Sequence, residues 1–200
     1  EAVLTPNEQI PGEIYQYHER MKTYMVEVKR TNKGPQIMVS RTHPGLLKRL
    51  FELEVPEIHD GVVEIKSVAR EPGMRSKISV YTADSNVDPV GACVGHKGMR
   101  VQTIVNELRG EKIDIVKYSE DPAQYVANAL SPAKVVKTTV NEADKICRVV
   151  VPDYQLSLAI GKEGQNARLA AKLTGWKIDI KSETQAAEEA AAEPAPMEEA

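Results

Sequence analysis

The sequence predicts an α+β protein built around one repeated module, and three observations carry that prediction. A Gly-x-x-Gly turn occurs twice, at Gly95-His96-Lys97-Gly98 and Gly161-Lys162-Glu163-Gly164. Each turn leads through a helix-like run into nearly the same strand, Gly110-Glu111-Lys112-Ile113-Asp114-Ile115 and Gly175-Trp176-Lys177-Ile178-Asp179-Ile180. The turns lie 66 residues apart and the strands 65, a difference of one deleted residue. One glycine pair marks an ordinary turn. Two with matching flanks mark a duplicated unit.

The chain ahead of the first copy is strand-rich. Residues 2–4, 24–28 and 37–39 are apolar or β-prone, with turn chemistry at Pro6-Asn7, Pro11-Gly12 and Asn32-Lys33-Gly34-Pro35. Thr42-His43-Pro44 then starts a helix over residues 44–53, because proline suits a first helical turn. Leu46, Leu47, Leu50, Phe51 and Leu53 form its apolar stripe. Strands follow over residues 62–68 and 77–82, joined at Pro72-Gly73, and a short helix over 88–94 enters the first glycine turn. The helix over residues 99–108 places Val101, Ile104, Val105 and Leu108 at i, i+3, i+4 and i+7. Residues 113–116 close the sheet, giving the order α-β-β-α-α-β.

The second copy begins at Ser119-Glu120-Asp121-Pro122, an N-cap signal before a helix over residues 123–130. Residues 135–140 and 146–151 are β-branched strands around the turn-prone 141–144, and 153–160 lead into the second glycine turn. The helix over 165–173 carries Ala167, Ala170 and Ala171 where the first copy has larger residues, which permits closer packing. A connection of only a few residues around 118–122 leaves little freedom between the copies.

Residues 183–200 contain six glutamates, no Lys or Arg and no branched apolar residue, and are expected to be a disordered acidic tail. They distort the net charge of −3: without them 26 basic residues face 23 acidic ones, a body of +3. So mild a balance puts the weight on where charges sit. No apolar run approaches the ~20 residues that span a bilayer, and residue 1 onward carries no signal-peptide pattern, so a cytoplasmic location is expected. Cys93 and Cys147 have no CxxC partner and no His pair at zinc spacing. Cys93 sits in an apolar stretch and reads as a buried reduced thiol.

Catalysis finds no support. GxxxxGK[ST], HExxH and GxSxG are all missing. His18, His43, His59 and His96 are scattered, and pairs such as Glu52/Glu54 and Glu188/Glu189 have nothing to raise a pKa. No cofactor or metal is expected.

The glycine turns carry the chemistry instead. Glycine accepts φ > 0 and admits close approach of another backbone. A turn between two helices offers unbonded amides at a helix N-terminus, which suits a phosphate. Gly95 and Gly98 frame His96 and Lys97, with Arg100 one turn on; Gly161 and Gly164 frame Lys162 and Glu163, with Arg168 beyond. Glu163 is unhelpful to a phosphate, whereas Gln165 and Asn166 offer hydrogen bonds to a base or sugar. Val90, Val94, Val101 and Ile104 either line a groove beside the first turn or form plain core. Residues 95–118 hold five basic and three acidic side chains, a local +2. Arg70, Arg75 and Lys77 are weaker candidates, explained equally by a solvated strand edge.

The turn, its following helix and the closing strand resemble the KH module, whose GXXG loop clamps about four nucleotides of single-stranded RNA. The run Asp88-Pro89-Val90-Gly91-Ala92-Cys93-Val94-Gly95, then Arg100-Val101-Gln102 and residues 110–115, resembles the NusA family of bacterial transcription elongation factors. So do Glu54-Val55-Pro56-Glu57-Ile58 and Ala69-Arg70-Glu71-Pro72-Gly73, with Arg75 after an intervening Met74. The resemblance covers roughly residues 1–182.

It implies the last strands of an OB-fold barrel over residues 1–41, prokaryotic-type KH domains over 42–118 and 119–182, and the acidic tail over 183–200. The opening barrel strands and a polymerase-binding domain would precede residue 1 in such a protein, so this sequence is expected to be a fragment or a partial record. Tyr15, Tyr17, Tyr24, Lys29 and Arg30 would offer a stacking and charge surface, or pack a core. The implied partners are single-stranded RNA, bacterial RNA polymerase and other antitermination factors, for a monomer acting in pausing, termination and antitermination. Two alternatives remain: a degenerate KH protein-interaction scaffold and a ribosome-associated RNA binder.

Overall fold

The structure is a computed structural model that describes residues 1–192, in two compact units that meet in sequence between Tyr118 and Ser119. No helix among the described residues is long and apolar enough to cross a membrane.

The first unit opens with a three-stranded sheet. Strand β1 (Ala2–Val3) pairs parallel with β3 (Gly34–Ser40), which pairs antiparallel with β2 (Tyr24–Thr31). Helices α1 (Pro44–Glu54) and α2 (Pro56–His59) follow, each with a proline in its first turn. Strands β4 (Glu64–Glu71) and β5 (Arg75–Tyr81) form a hairpin, and helices α3 (Pro89–Val94) and α4 (Met99–Glu107) flank the glycine turn. Strand β6 (Lys112–Lys117) then joins β5 in parallel, giving the order β4-β5-β6. Parallel neighbours need a long crossover, and the two helices with their turn supply it. Leu46, Leu47, Leu50, Phe51, Val55, Ile78, Val80, Cys93, Ile104 and Leu108 close one core between sheet and helices.

The second unit repeats this plan. Helix α5 (Pro122–Ala129) precedes strands β7 (Lys137–Asn141) and β8 (Ile146–Val151), then α6 (Leu156–Ile160), α7 (Gln165–Thr174) and β9 (Lys177–Ser182). The sheet order is β7-β8-β9, with β8 and β9 parallel. The duplicated Lys-Ile-Asp-Ile string starts both parallel pairings at its lysine, Lys112 opposite Arg75 and Lys177 opposite Ile146. The alanines of α7 do permit tight packing: Ala170 is fully buried beside Leu169 and Leu173.

Residues 1–118 form one compact unit, and the opening segment is tied to α4. Arg41 is fully buried and donates to Glu107 O of α4 at 3.1 Å and to Lys22 O at 2.8 Å, and it pairs with Glu13. Tyr24 takes the core alternative: it packs against the core of the unit and stacks on the His43 ring at 4.5 Å. One expectation needs correcting, that of the tail. Helix α8 (Glu183–Ala192) occupies residues expected to be disordered. Ser182 N donates to Gln185 Oε1 at 3.0 Å and Gln185 N returns to Ser182 Oγ at 3.2 Å, a reciprocal cap. Thr184 adds bonds to both Asp153 oxygens, and alanine has the strongest helix propensity. Residues 193–200 of that expectation lie outside the described residues.

Candidate nucleic-acid interface

Local sequence builds the first turn. Asp88 Oδ1 accepts from Val90 N at 3.2 Å and starts α3, and Pro89 fills its first turn. Gly95 N closes the helix on Gly91 O at 2.9 Å. Gly95 then turns to φ 76°, ψ 175°, Lys97 to φ 51°, ψ 29°, and Gly98 to φ 74°, ψ 14°. The second turn repeats these angles: Gly161 at φ 79°, ψ 170°, Glu163 at φ 54°, ψ 27°, and Gly164 at φ 73°, ψ 13°. Gly95 and Gly161 lie in a region open to glycine alone.

Accounting for the amides shows what the turn offers. Gly98 N donates to Gly95 O at 3.1 Å and Met99 N to His96 O, while the His96 and Lys97 amides donate to no acceptor among the described residues. The second turn is satisfied the same way, leaving the Lys162 and Glu163 amides unbonded among those residues. All four side chains are exposed. Each turn thus presents two adjacent donors at the head of a helix of nine or ten residues, where the helix dipole favours an anion.

The remaining predicted site residues divide. Arg168 is exposed and donates from Nη1 to Glu163 O at 3.1 Å, strapping the second turn. Gln165 heads α7. Two others face inward, against expectation. Arg100 Nη1 donates to Ala92 O at 2.7 Å and to Glu57 Oε2 at 2.9 Å, and its Cγ lies 2.6 Å from where a Cβ on Gly95 would stand. Asn166 is fully buried and donates from Nδ2 to Leu130 O and Ala159 O, both at 3.0 Å. Close approach of the side chain or backbone five residues on is why the first position of each turn must be glycine.

Several charged candidates are also spent internally. Arg70 is buried against Glu111, whose carboxylate also accepts from Gly73 N at 2.8 Å and Ser76 Oγ at 2.9 Å. Arg75 and Lys77 both pair with Asp114. Arg109 pairs with Glu13 and Glu19. Ile104 is core, and Val90 and Val101 are partly buried against that core. Of the five basic side chains in residues 95–118, Arg100 and Arg109 are paired, Lys97 is exposed on the turn, and Lys112 and Lys117 are exposed on β6. Glu57, Glu111 and Arg41 were not singled out from sequence, since only tertiary partners reveal them.

Residues 41–118 match the NusA-like first KH domain and residues 122–188 the NusA-like second KH domain. The chain belongs to the NusA family. Among NusA relatives, a protein of Halalkalibacterium halodurans named transcription termination/antitermination protein NusA is 73% identical over 94% of this chain and 49% of its own length. The Bacillus subtilis protein of the same name is 72% identical over 94% of this chain and 51% of its own length. That of Mycobacterium bovis is 57% identical over 92% and 53%. The chain thus spans about half the length of these NusA relatives.

Proposed function

We propose that this chain binds single-stranded RNA through its two Gly-x-x-Gly turns, as part of a factor that modulates pausing, termination and antitermination by bacterial RNA polymerase. One observation carries the reading: two exposed turns with the same torsions, each with two unbonded amides at the head of a helix. The name of the relatives, transcription termination/antitermination protein, supports the transcriptional part. RNA polymerase and other antitermination factors are the proposed partners, for a cytoplasmic monomer.

Each turn takes backbone phosphate, and covalent linkage of two weak sites raises the effective concentration for the second. The first turn binds phosphate more strongly, because Lys97 occupies the left-handed position that Glu163 occupies in the second. Intact glycines and an exposed lysine in both turns argue against a degenerate scaffold. The name shared by the relatives above favours a transcriptional role over a ribosome-associated one.

The test is a gel shift with single-stranded leader RNA against duplex and DNA controls. His96→Asp with Lys97→Asp is expected to remove most of the affinity while circular dichroism stays unchanged. Binding that survives the same change in both turns would sink the reading.

A further inference from the structure

We infer that Asn166 is a positioning residue for the second turn: it holds the turn in its binding shape from beneath and does not touch RNA. The inference rests on the RNA-binding reading and assigns that site an inner brace. Asn166 sits in the first turn of α7, fully buried. Its Nδ2 ties that turn to Leu130 O, at the end of α5, and to Ala159 O in α6. Its backbone N and Cβ lie 2.7 and 2.8 Å from where a Cβ on Gly161 would stand. The entering and leaving helices of the Gly-x-x-Gly turn are thus joined through one side chain.

The Oδ1 atom has no donor among the described residues. A buried acceptor left unpaired is costly, and an apolar side chain of similar size would avoid it. What such a side chain lacks is the pair of N–H donors, so the amide is there for the tie and not for packing. The first copy solves the same problem with other chemistry. Arg100, five residues after Gly95 as Asn166 is after Gly161, donates to Ala92 O in α3 and lays its stem against Gly95.

The ionic-strength dependence of RNA binding separates a brace from a contact. A residue that meets phosphate lowers the slope of log K against log salt by about 0.7 when removed, whereas a brace lowers affinity and leaves the slope alone. With an unstructured single-stranded RNA of mixed sequence, Asn166→Ala in the whole chain is expected to weaken binding about tenfold at unchanged slope, and Lys162→Ala to reduce the slope. Without RNA, Asn166→Ala is expected to shift the amide resonances of Gly161 to Gly164 and leave those of β8 in place. Asn166→Ser, which keeps one donor in a smaller volume, recovers part of both and guards against a variant that fails to fold. The brace is overturned if the turn resonances do not move, or if the slope falls as it does for Lys162→Ala. If the unsubstituted chain binds no RNA, the RNA reading fails, and the resonances alone judge the brace.

Discussion

Gly161 and Gly164 share a turn yet do different jobs, and substitution separates them. A Cβ on Gly164 meets nothing within 4 Å, so Gly164→Ala faces only its left-handed φ of 73°. That costs about 1 kcal/mol. At Gly161 a Cβ would lie 2.7 Å from the Asn166 amide nitrogen, and backbone cannot swing aside as a side chain can. Gly161→Ala is therefore expected to cost about 3 kcal/mol or more by urea unfolding. Equal costs at the two positions would refute the close-approach account. Cys93 gives a second residue-scale prediction. Burial, then the Glu57 charge, pushes its thiol up to about 12. Iodoacetamide at pH 8 is expected to leave Cys93 unmodified in the folded chain and to alkylate it in urea.

At the scale of elements, the buried pair of Glu13 and Arg41 joins the opening segment to α4. The side chains are 3% and 0% exposed. Burial alone would raise the Glu13 carboxyl, but hydrogen bonds from Arg41 and Tyr15 and the charges of Arg41 and Arg109 hold it below its ordinary 4.5. A carboxyl depressed by folding contributes stability that is complete above the unfolded value and is lost as pH falls through the folded one. Glu13→Gln is therefore expected to lose more stability relative to the unsubstituted chain at pH 7 than at pH 3. Arg41→Ala takes the bidentate partner from the buried Glu13 carboxylate but leaves it Arg109 and the Tyr15 hydroxyl, so the loss in denaturant unfolding is expected to stay below the ~3–5 kcal/mol of a fully unpaired buried charge. Neither residue stands out in the sequence, because Glu13 and Arg41 lie 28 residues apart and only the fold brings them together. Helix α8 is the converse case. Its Ser-x-x-Gln cap was present in Ser182 and Gln185, but a composition of Glu and Ala with no buried face argued for disorder.

For the whole molecule, two turns that each engage two phosphates predict a salt slope near −3 for single-stranded RNA. The His96→Asp, Lys97→Asp pair is expected to bring that slope to about half, read from binding isotherms at several salt concentrations. A slope unchanged by this variant would place the contacts elsewhere.

The repeat, the order α-β-β-α-α-β and the positions of both turns were determined by the sequence alone. Glycine spacing and apolar periodicity are local signals, and each of these features is local. Tertiary structure decided which polar residues face outward. Arg100 and Asn166 read as binders along the chain, and Arg70 as a weaker candidate or a solvated strand edge, yet the fold sets Glu57, two helix-end carbonyls and Glu111 beside them. A side chain's partner across the core is fixed by packing, and no window of neighbouring residues contains that information.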